Sequence, residues 1–413
     1  MPNTTKPTTP SGKLESRTLL VLVVVLALVT LAAVYFIVTI LGTVDGRVEA
    51  SGYPLGRDYI NYWTGGRAVI EGNVEWLFLP DDYLMRLRAD FGEALPKHNW
   101  SYPPHFLPLL APLGLTPYIT GYVLWCLVGV GCFVAALRSL DLSLPLGLIV
   151  LAIAPVVLAN IFLGQNGMLT GALLLGGLAL RDHRPWLAGI LLGILTIKPQ
   201  LGILVPILLL VQQNWRTIIA AVLTTAVLIL VSIAAFGWQP WVSFIDITLP
   251  YQTDIMTEWS GLFTAMMPTG FMASRDLGAE TPSAFLVHAP FAIVGVAAAL
   301  WAAWVTRHDA DRCAAAAVTI VATIVVSPYV FNYDMAALSG AVLMWMSSGR
   351  ARFGVLRGAL AAAALSMPVI GPALALSGLP VAPLVVLAAL IVMTADIGVK
   401  RWQRIGAAAD GTD

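Results

Sequence analysis

Charge is scarce in this chain. Asp, Glu, Lys and Arg make up 11% of the 413 residues, against roughly 25% in a soluble domain. With 58% hydrophobic residues and a mean hydropathy of +0.83, a soluble globular enzyme is excluded and a polytopic membrane protein is expected. The formal net charge is zero, which gives no reason to expect a nucleic-acid partner. Cysteine is nearly absent. Cys126, Cys132 and Cys313 all fall in apolar runs, so they read as small packing residues, with no disulfide framework and no metal-ligand spacing. There is no P-loop, no dinucleotide glycine pattern and no DxD-type acidic pair in a soluble context. The adjacent Asp81 and Asp82 read as a solvated turn. No internal repeat is visible, nor the paired broken helices of an inverted-repeat transporter.

What the chain has is long apolar runs. A span needs about 20 apolar residues, and twelve candidates are present: 18–41, 117–138, 143–161, 166–181, 185–198, 199–212, 215–236, 284–306, 311–330, 332–348, 354–372 and 380–399. The stretch from Pro104 to Arg138 is too long for one span and too short for two. Broken by Pro108, Pro112 and Pro117, it reads as a short half-inserted helix (105–115) leading into the second span. The first run, Leu19 to Leu41, exceeds the roughly 7–15 residues of a signal-peptide core and reads as a retained anchor. Residues 1–17 read as a disordered cytoplasmic tail, 18–400 as one transmembrane unit, and 401–413 as a second tail.

Basic residues orient these spans, because cytoplasmic loops hold the excess of Lys and Arg. With the N-terminus inside, the cytoplasmic side receives 15 of the 23 basic residues and 8 of the 23 acids. The expected topology is therefore all-α with both termini cytoplasmic. The polar segments 43–103 and 237–283 then lie on the outer face. Trp238, Trp241, Tyr251 and Trp259 suggest amphipathic stretches in the second of these.

Ionisable groups near membrane depth are few, and each is a functional hypothesis. Asp58 follows the first span inside Gly56-Arg57-Asp58-Tyr59-Ile60-Asn61-Tyr62-Trp63. An interfacial loop with an aromatic belt accounts for the aromatics but less well for the carboxylate. Lys198, between an apolar run and Pro199-Gln200, must snorkel, pair with an acid or bind an anion such as phosphate. His105, after Tyr102-Pro103-Pro104, falls in the first turn of the half-helix, near a positive helix end; a structural polar contact is its other reading. Gln165-Asn166 occupy an uncharged outer turn, where Asn166 alone also suits a helix cap. Asp334, in Ser327-Pro328-Tyr329-Val330-Phe331-Asn332-Tyr333-Asp334, suits an N-cap, a partner for Lys198 or Arg67, or a ligand for sugar hydroxyls.

Five of these motifs come in the order seen in glycosyltransferase family 87: Asp58 to Trp63 with Gly66-Arg67-Ala68, Ser101-Tyr102-Pro103-Pro104, Gly164-Gln165-Asn166, Ile197-Lys198-Pro199-Gln200 and Ser327-Pro328-Tyr329. Over residues 18–345 the chain resembles this family of GT-C-fold membrane enzymes, which includes polyprenyl-phosphate-mannose-dependent α-mannosyltransferases and some arabinofuranosyltransferases. Some relatives carry a late histidine, and Tyr329 to Asp334 contains none. The resemblance implies an inverting transfer of a sugar, mannose first and arabinofuranose or another sugar as the alternative. The sugar would pass from a polyprenyl-phosphate donor to a lipid- or glycan-linked acceptor at the outer face of the inner (plasma) membrane. It implies Asp58 as general base, with Lys198, Arg67 and His105 holding the donor phosphate and Arg57 tuning Asp58. Tyr62, Gln165, Asn166, Tyr329, Asn332 and Asp334 would contact sugar or acceptor, and the half-helix and second span would line the lipid groove. No cofactor or metal is required by this scheme. A lipid-linked-sugar transporter is the competing class, but it would place charges deep within several spans, whereas these gather at the outer turns.

Overall fold

The computed structural model describes residues 14–309, 312–348 and 353–409, with side chains described as far as residue 399. Residues 1–13 of the expected tail, the loop charges Asp311, Arg350 and Arg352, and residues 410–413 lie outside the described residues.

All twelve apolar runs are helical. In chain order the helices are α1 (Ser16–Leu41), α2 (Tyr59–Glu71), α3 (Pro80–Phe91), α4 (Leu107–Gly114), α5 (Tyr118–Arg138), α6 (Leu146–Leu163), α7 (Gly167–Leu180), α8 (Pro185–Ile194), α9 (Val205–Val211), α10 (Trp215–Phe236), α11 (Gln239–Ser243), α12 (Leu249–Glu258), α13 (Leu262–Ala265), α14 (Gly270–Asp276), α15 (Thr281–Val305), α16 (Cys313–Val326), α17 (Ala336–Ser347), α18 (Val355–Leu376) and α19 (Ala382–Ala409). Among the described residues seven helices are long and apolar enough to cross a membrane: α1, α5, α6, α10, α15, α18 and α19. An apolar segment in lipid must satisfy its own backbone groups, which favours helix throughout. The last helix runs on to Ala409, through residues assigned above to a tail.

Length and burial run in opposite directions. In α1 the buried residues are Thr18, Leu22, Leu26 and Ala33, a single stripe at helical spacing, and the other faces stay exposed and apolar. Such a helix packs by one face and offers the rest to lipid. By contrast α7, α16 and α17, with 14, 14 and 12 residues, are buried almost all round. These short helices form the centre, and the long ones surround them.

The turns sort into two ends. At one, Ser143 Oγ donates to the Ser347 carbonyl at 3.0 Å, Asn214 Nδ2 donates to Asp182 at 3.0 Å, and Arg312 bonds both Asp182 and the Gln212 carbonyl. These are the turns expected to be cytoplasmic. At the other end, residues 43–106, 163–167, 195–202 and 327–335 meet.

The segment 43–103 is no loop. A small antiparallel ribbon, β1 (Val44–Asp45) and β2 (Val48–Glu49), leads into α2 and α3. With α4 these enclose a core of their own, built from Tyr59, Tyr62, Phe78, Tyr83, Trp100 and Phe106. Tyr59 and Tyr62 are fully buried and Trp63 is 5% exposed, so they are core residues and not an interfacial belt. The expected half-helix exists, as a 3₁₀ turn Pro104–Phe106 running into α4, and Pro117 separates it from α5. In the second polar segment α11 to α14 pack over the same end.

Candidate active site

A cavity of about 520 Å³ opens at this second end. Asp58, His105, Gln165, Lys198, Tyr329 and Asp334 line it, although they come from five separate stretches of chain.

Asp58 stands at the start of α2, after Gly56 (φ +76°) and Arg57 (φ +39°). Glycine takes this region freely, whereas Arg57 is strained there unless the surroundings hold it. The Arg57 guanidinium is held by Glu49 at 2.9 Å and lies over the rings of Tyr53 and Phe162 at 4.7 and 4.5 Å. Arg57 therefore pairs with Glu49, and the expectation that it tunes Asp58 directly is corrected. The Asp58 carboxylate sits in the N-cap position but makes no capping bond. Instead its Oδ2 accepts a hydrogen bond from Gln165 Nε2 at 2.8 Å.

Gln165 reaches Asp58 because its turn docks on the Gly56 turn. The Asp58 backbone N–H donates to the Leu163 carbonyl at 3.0 Å. Gly164 takes φ +61°, and a Cβ there would collide with the Gly56 carbonyl oxygen; one at Gly167 would collide with that of Tyr333. The glutamine orientation is fixed from behind. Tyr62 donates to Gln165 Oε1 at 2.6 Å, which leaves the Tyr102 hydroxyl to donate to the Tyr62 oxygen at 2.6 Å. Both tyrosine hydroxyls are kept protonated, chiefly by burial. A chain of donors thus runs from Tyr102 through Tyr62 and Gln165 to Asp58 and holds one carboxylate oxygen. Gly164→Ala is expected to lower stability by about 1–3 kcal/mol through the positive φ alone, with more from the collision. Thermal unfolding of the full chain in lipid nanodiscs checks it, and an unchanged midpoint would contradict the close docking.

Lys198 lies between two 3₁₀ turns, Leu195–Ile197 and Pro199–Gly202. Its ammonium is 2.8 Å from Asp334 Oδ1 and 4.8 Å from the centre of the Tyr333 ring. Both partners are buried, at 6% and 2% exposure. Asp334 Oδ2 accepts from the Phe331 backbone N–H at 3.2 Å. Asp334 is thus the partner of Lys198, and its side chain also lines the cavity.

The other expected site residues divide. His105 is in the cavity, with Nε2 3.2 Å from Thr196 Oγ1 and its ring stacked on Trp241 at 5.7 Å. Burial pushes its pKa down to about 4, so at neutral pH it offers a hydrogen bond and no charge. Toward a phosphate the neutral ring would act as a hydrogen-bond partner. In an assay from pH 8 down to 5.5, His105→Gln is expected to leave the shape of the rate profile unaltered. The same shift weakens the fold in acid: between the ordinary histidine pKa near 6.5 and about 4 the unfolded chain takes up a proton that the native chain does not. Stability from this group therefore falls across that window as pH drops.

Arg67 is not brought to the cavity. It is half exposed on α2, bonded to Glu71 at 2.7 Å in an i,i+4 pair and stacked on Trp63. The phosphate role expected for it is corrected. Tyr62 stands behind the wall. Asn166 is buried in the same turn, with its backbone N–H 3.4 Å from Gln165 Oε1, and does not line the cavity. Asn332 also stands outside it, for a reason written in α18: Pro372 has no N–H, so the Pro368 carbonyl lacks its helical donor, and Asn332 Nδ2 donates to it at 2.7 Å. The contact with sugar expected for Asn332 is replaced by this bond. Nor do the half-helix and second span line an apolar groove here. The apolar wall comes from Ile229, Phe244, Leu249 and Leu262 on the other side.

Several cavity residues carried no signal in sequence: Tyr53, His98, Thr196 and Gln252. Among the described residues no cluster of three His, Cys, Asp or Glu is placed to hold a metal ion.

A helical bundle of this composition, with membrane-length helices, defines a polytopic membrane protein. The model of glycosyltransferase family 87 matches residues 100–328, more than half of the chain. The chain belongs to that family and is a membrane glycosyltransferase. Neither a curated protein nor a solved structure matches it. The family match takes in Tyr102, His105, Gln165 and Lys198. Asp58 and Asp334 lie outside it and are tied to it by the hydrogen bonds just described.

Proposed function

We propose that this glycosyltransferase transfers mannose from a polyprenyl-phosphate donor to a lipid- or glycan-linked acceptor, by direct displacement at the outer face of the plasma membrane. The observation that carries the reading is the setting of Asp58. Its carboxylate lines the cavity, makes no cap, and has one oxygen held by Gln165, so that the other can meet an acceptor hydroxyl.

In this scheme the acceptor oxygen attacks the anomeric carbon while its proton passes to Asp58. The bond from that carbon to the phosphate oxygen breaks, and polyprenyl phosphate leaves with the electron pair. An anionic phosphate leaving group needs no acid, only a nearby cation. Lys198 is the cation buried in this wall, and Asp334 is its positioning residue. The wall formed by Ile229, Phe244, Leu249 and Leu262 suits the isoprenoid chain. Single displacement inverts the anomeric centre, so a β-linked donor gives an α-linked product.

The outer-face assignment rests on the basic-residue asymmetry, since the cavity opens at the end away from the Arg- and Lys-rich turns. Cysteine labelling tests it. A cysteine placed at exposed Lys97, at the cavity mouth, is expected to react with a membrane-impermeant maleimide in intact cells. Labelling only after permeabilisation would reverse the orientation. The chemistry is tested by product analysis with a panel of polyprenyl-phosphate sugars, in which mannose is expected to be used best.

Tyr62→Phe removes the donor that orients Gln165 and is expected to lower kcat about tenfold, with the donor KM unchanged. A net hydrogen bond of roughly 0.5–1.5 kcal/mol sets that scale. An unaltered kcat would remove the tyrosine chain from the account of Asp58.

A further inference from the structure

His98 is 7% exposed, yet it lines the cavity. Its Nδ1 is 2.8 Å from the Pro96 carbonyl, which calls for N–H at that atom. Nε2 of a ring in that tautomer presents a lone pair, and this atom is buried with no protein partner. A buried polar atom without a partner calls for a water or a ligand.

The strap around His98 is fixed in advance. Asn99 Nδ2 donates to Ser101 Oγ at 2.6 Å, Trp100 Nε1 to the Tyr102 carbonyl at 2.7 Å, and Gln252 Nε2 from α12 to the Ser101 carbonyl at 2.9 Å. The strap also has a definite side. The His98 ring meets Tyr53 edge-on at 5.9 Å, and that tyrosine carries the Arg57 guanidinium next to Asp58. His105 belongs to the other side, bonded to Thr196, two residues from Lys198, and stacked on Trp241. The cavity therefore has an Asp58–His98 side and a Lys198–His105 side. Exposed Lys97 and half-buried Asn99 make the rim of the first polar.

We infer that the strap of residues 97–101 is the acceptor subsite, and that His98 Nε2 accepts a hydrogen bond from a second hydroxyl of a saccharide acceptor. The inference rests on the reading of Asp58 as the group that receives the proton of the attacking hydroxyl. A sugar ring presents hydroxyls on adjacent carbons, so one can face Asp58 while its neighbour faces His98. The polar rim then carries the rest of the glycan out to water, away from the apolar wall on the opposite side.

The test measures binding without turnover. Methyl α-D-mannopyranoside, methyl α-D-glucopyranoside and methyl α-D-arabinofuranoside are titrated by saturation-transfer NMR against the full chain carrying Asp58→Asn, in nanodiscs without donor. At least one glycoside is expected to bind. Adding His98→Phe, which keeps the ring contact with Tyr53, is expected to weaken binding about three- to tenfold, the scale of one hydrogen bond. His98→Gln, which keeps an acceptor atom, is expected to return affinity to within about twofold of the parent. Asn99→Ala, at a half-buried position, is run in parallel in case His98→Phe does not fold, and is expected to weaken binding about threefold. Equal affinity in the folded variants, or no binding of any of the three glycosides to the parent, would overturn the inference. Transfer at the wild-type rate by Asp58→Asn would instead remove the base assignment and leave the binding result intact.

Discussion

Lys198→Met is expected to damage the fold and the reaction together, and a second substitution separates the two effects. Lys198 and Asp334 form an ion pair at 2.8 Å in which neither partner is more than 6% exposed. Removing one member of such a pair leaves a buried charge uncompensated, at a cost of about 3–5 kcal/mol. Lys198→Met alone should therefore unfold well below the parent. In the double variant Lys198→Met/Asp334→Asn no charge is stranded, because the Phe331 N–H still has an amide oxygen to meet. Its unfolding midpoint should recover most of the loss. Donor binding should not recover, since the cation proposed for the phosphate is gone. A raised donor KM in a double variant of near-parental stability is the expected result. A normal donor KM in that variant would confine the pair to a structural role. Coupling of this kind is read from a double-mutant cycle, as the two sites touch and cannot be additive.

Asp58→Asn is expected to reduce kcat about 10²–10⁴-fold, the usual contribution of a general base, with little change in stability. Asparagine keeps an oxygen that can accept from Gln165 Nε2, so the bond at 2.8 Å can persist. Among the described residues the carboxylate caps no helix and pairs with no arginine, and Arg57 is committed to Glu49. Little of the fold therefore depends on its charge. A large loss of rate in a protein that melts normally is the signature of a group acting on the substrate.

Much of the architecture was legible because lipid imposes one simple rule: a run of about 20 apolar residues in a bilayer becomes a helix. Pro185 to Val211 was legible on the same ground, even though its two helices are short and share the Lys198 turn. The outer cap was not. Residues 43–103 read as a loop because their polar and aromatic residues mix at no clear period, yet Tyr59, Tyr62 and Trp63 are core residues packed against α5 and Phe91. A belt and a small aromatic core have the same composition and differ only in what lies beyond them.

At the site, Asp58, Lys198, Gln165 and Asp334 were legible as uncommon polar residues at turns between apolar runs. Their partners were not, since the Asp58–Gln165 and Lys198–Asp334 contacts span 107 and 136 residues of chain. Arg67 was misread because a matching motif carries no direction: its side chain leaves α2 on the face away from the cavity and finds Glu71 one turn later. Asn332 was misread because its partner depends on Pro372, which lies forty residues further along the chain. His98 gave no signal at all, being one polar residue among several in Lys97-His98-Asn99.

The most direct test of the reaction is a single-turnover experiment with β-mannosyl polyprenyl phosphate, an acceptor found by product analysis, and the full chain in nanodiscs. NMR of the product gives its anomeric configuration, and a parallel titration gives donor affinity. The expected result is an α-linked product from the parent, and transfer slowed at least a hundredfold in Asp58→Asn at unchanged donor affinity. A β-linked product, or transfer by Asp58→Asn at the parental rate, would contradict direct displacement with Asp58 as the base.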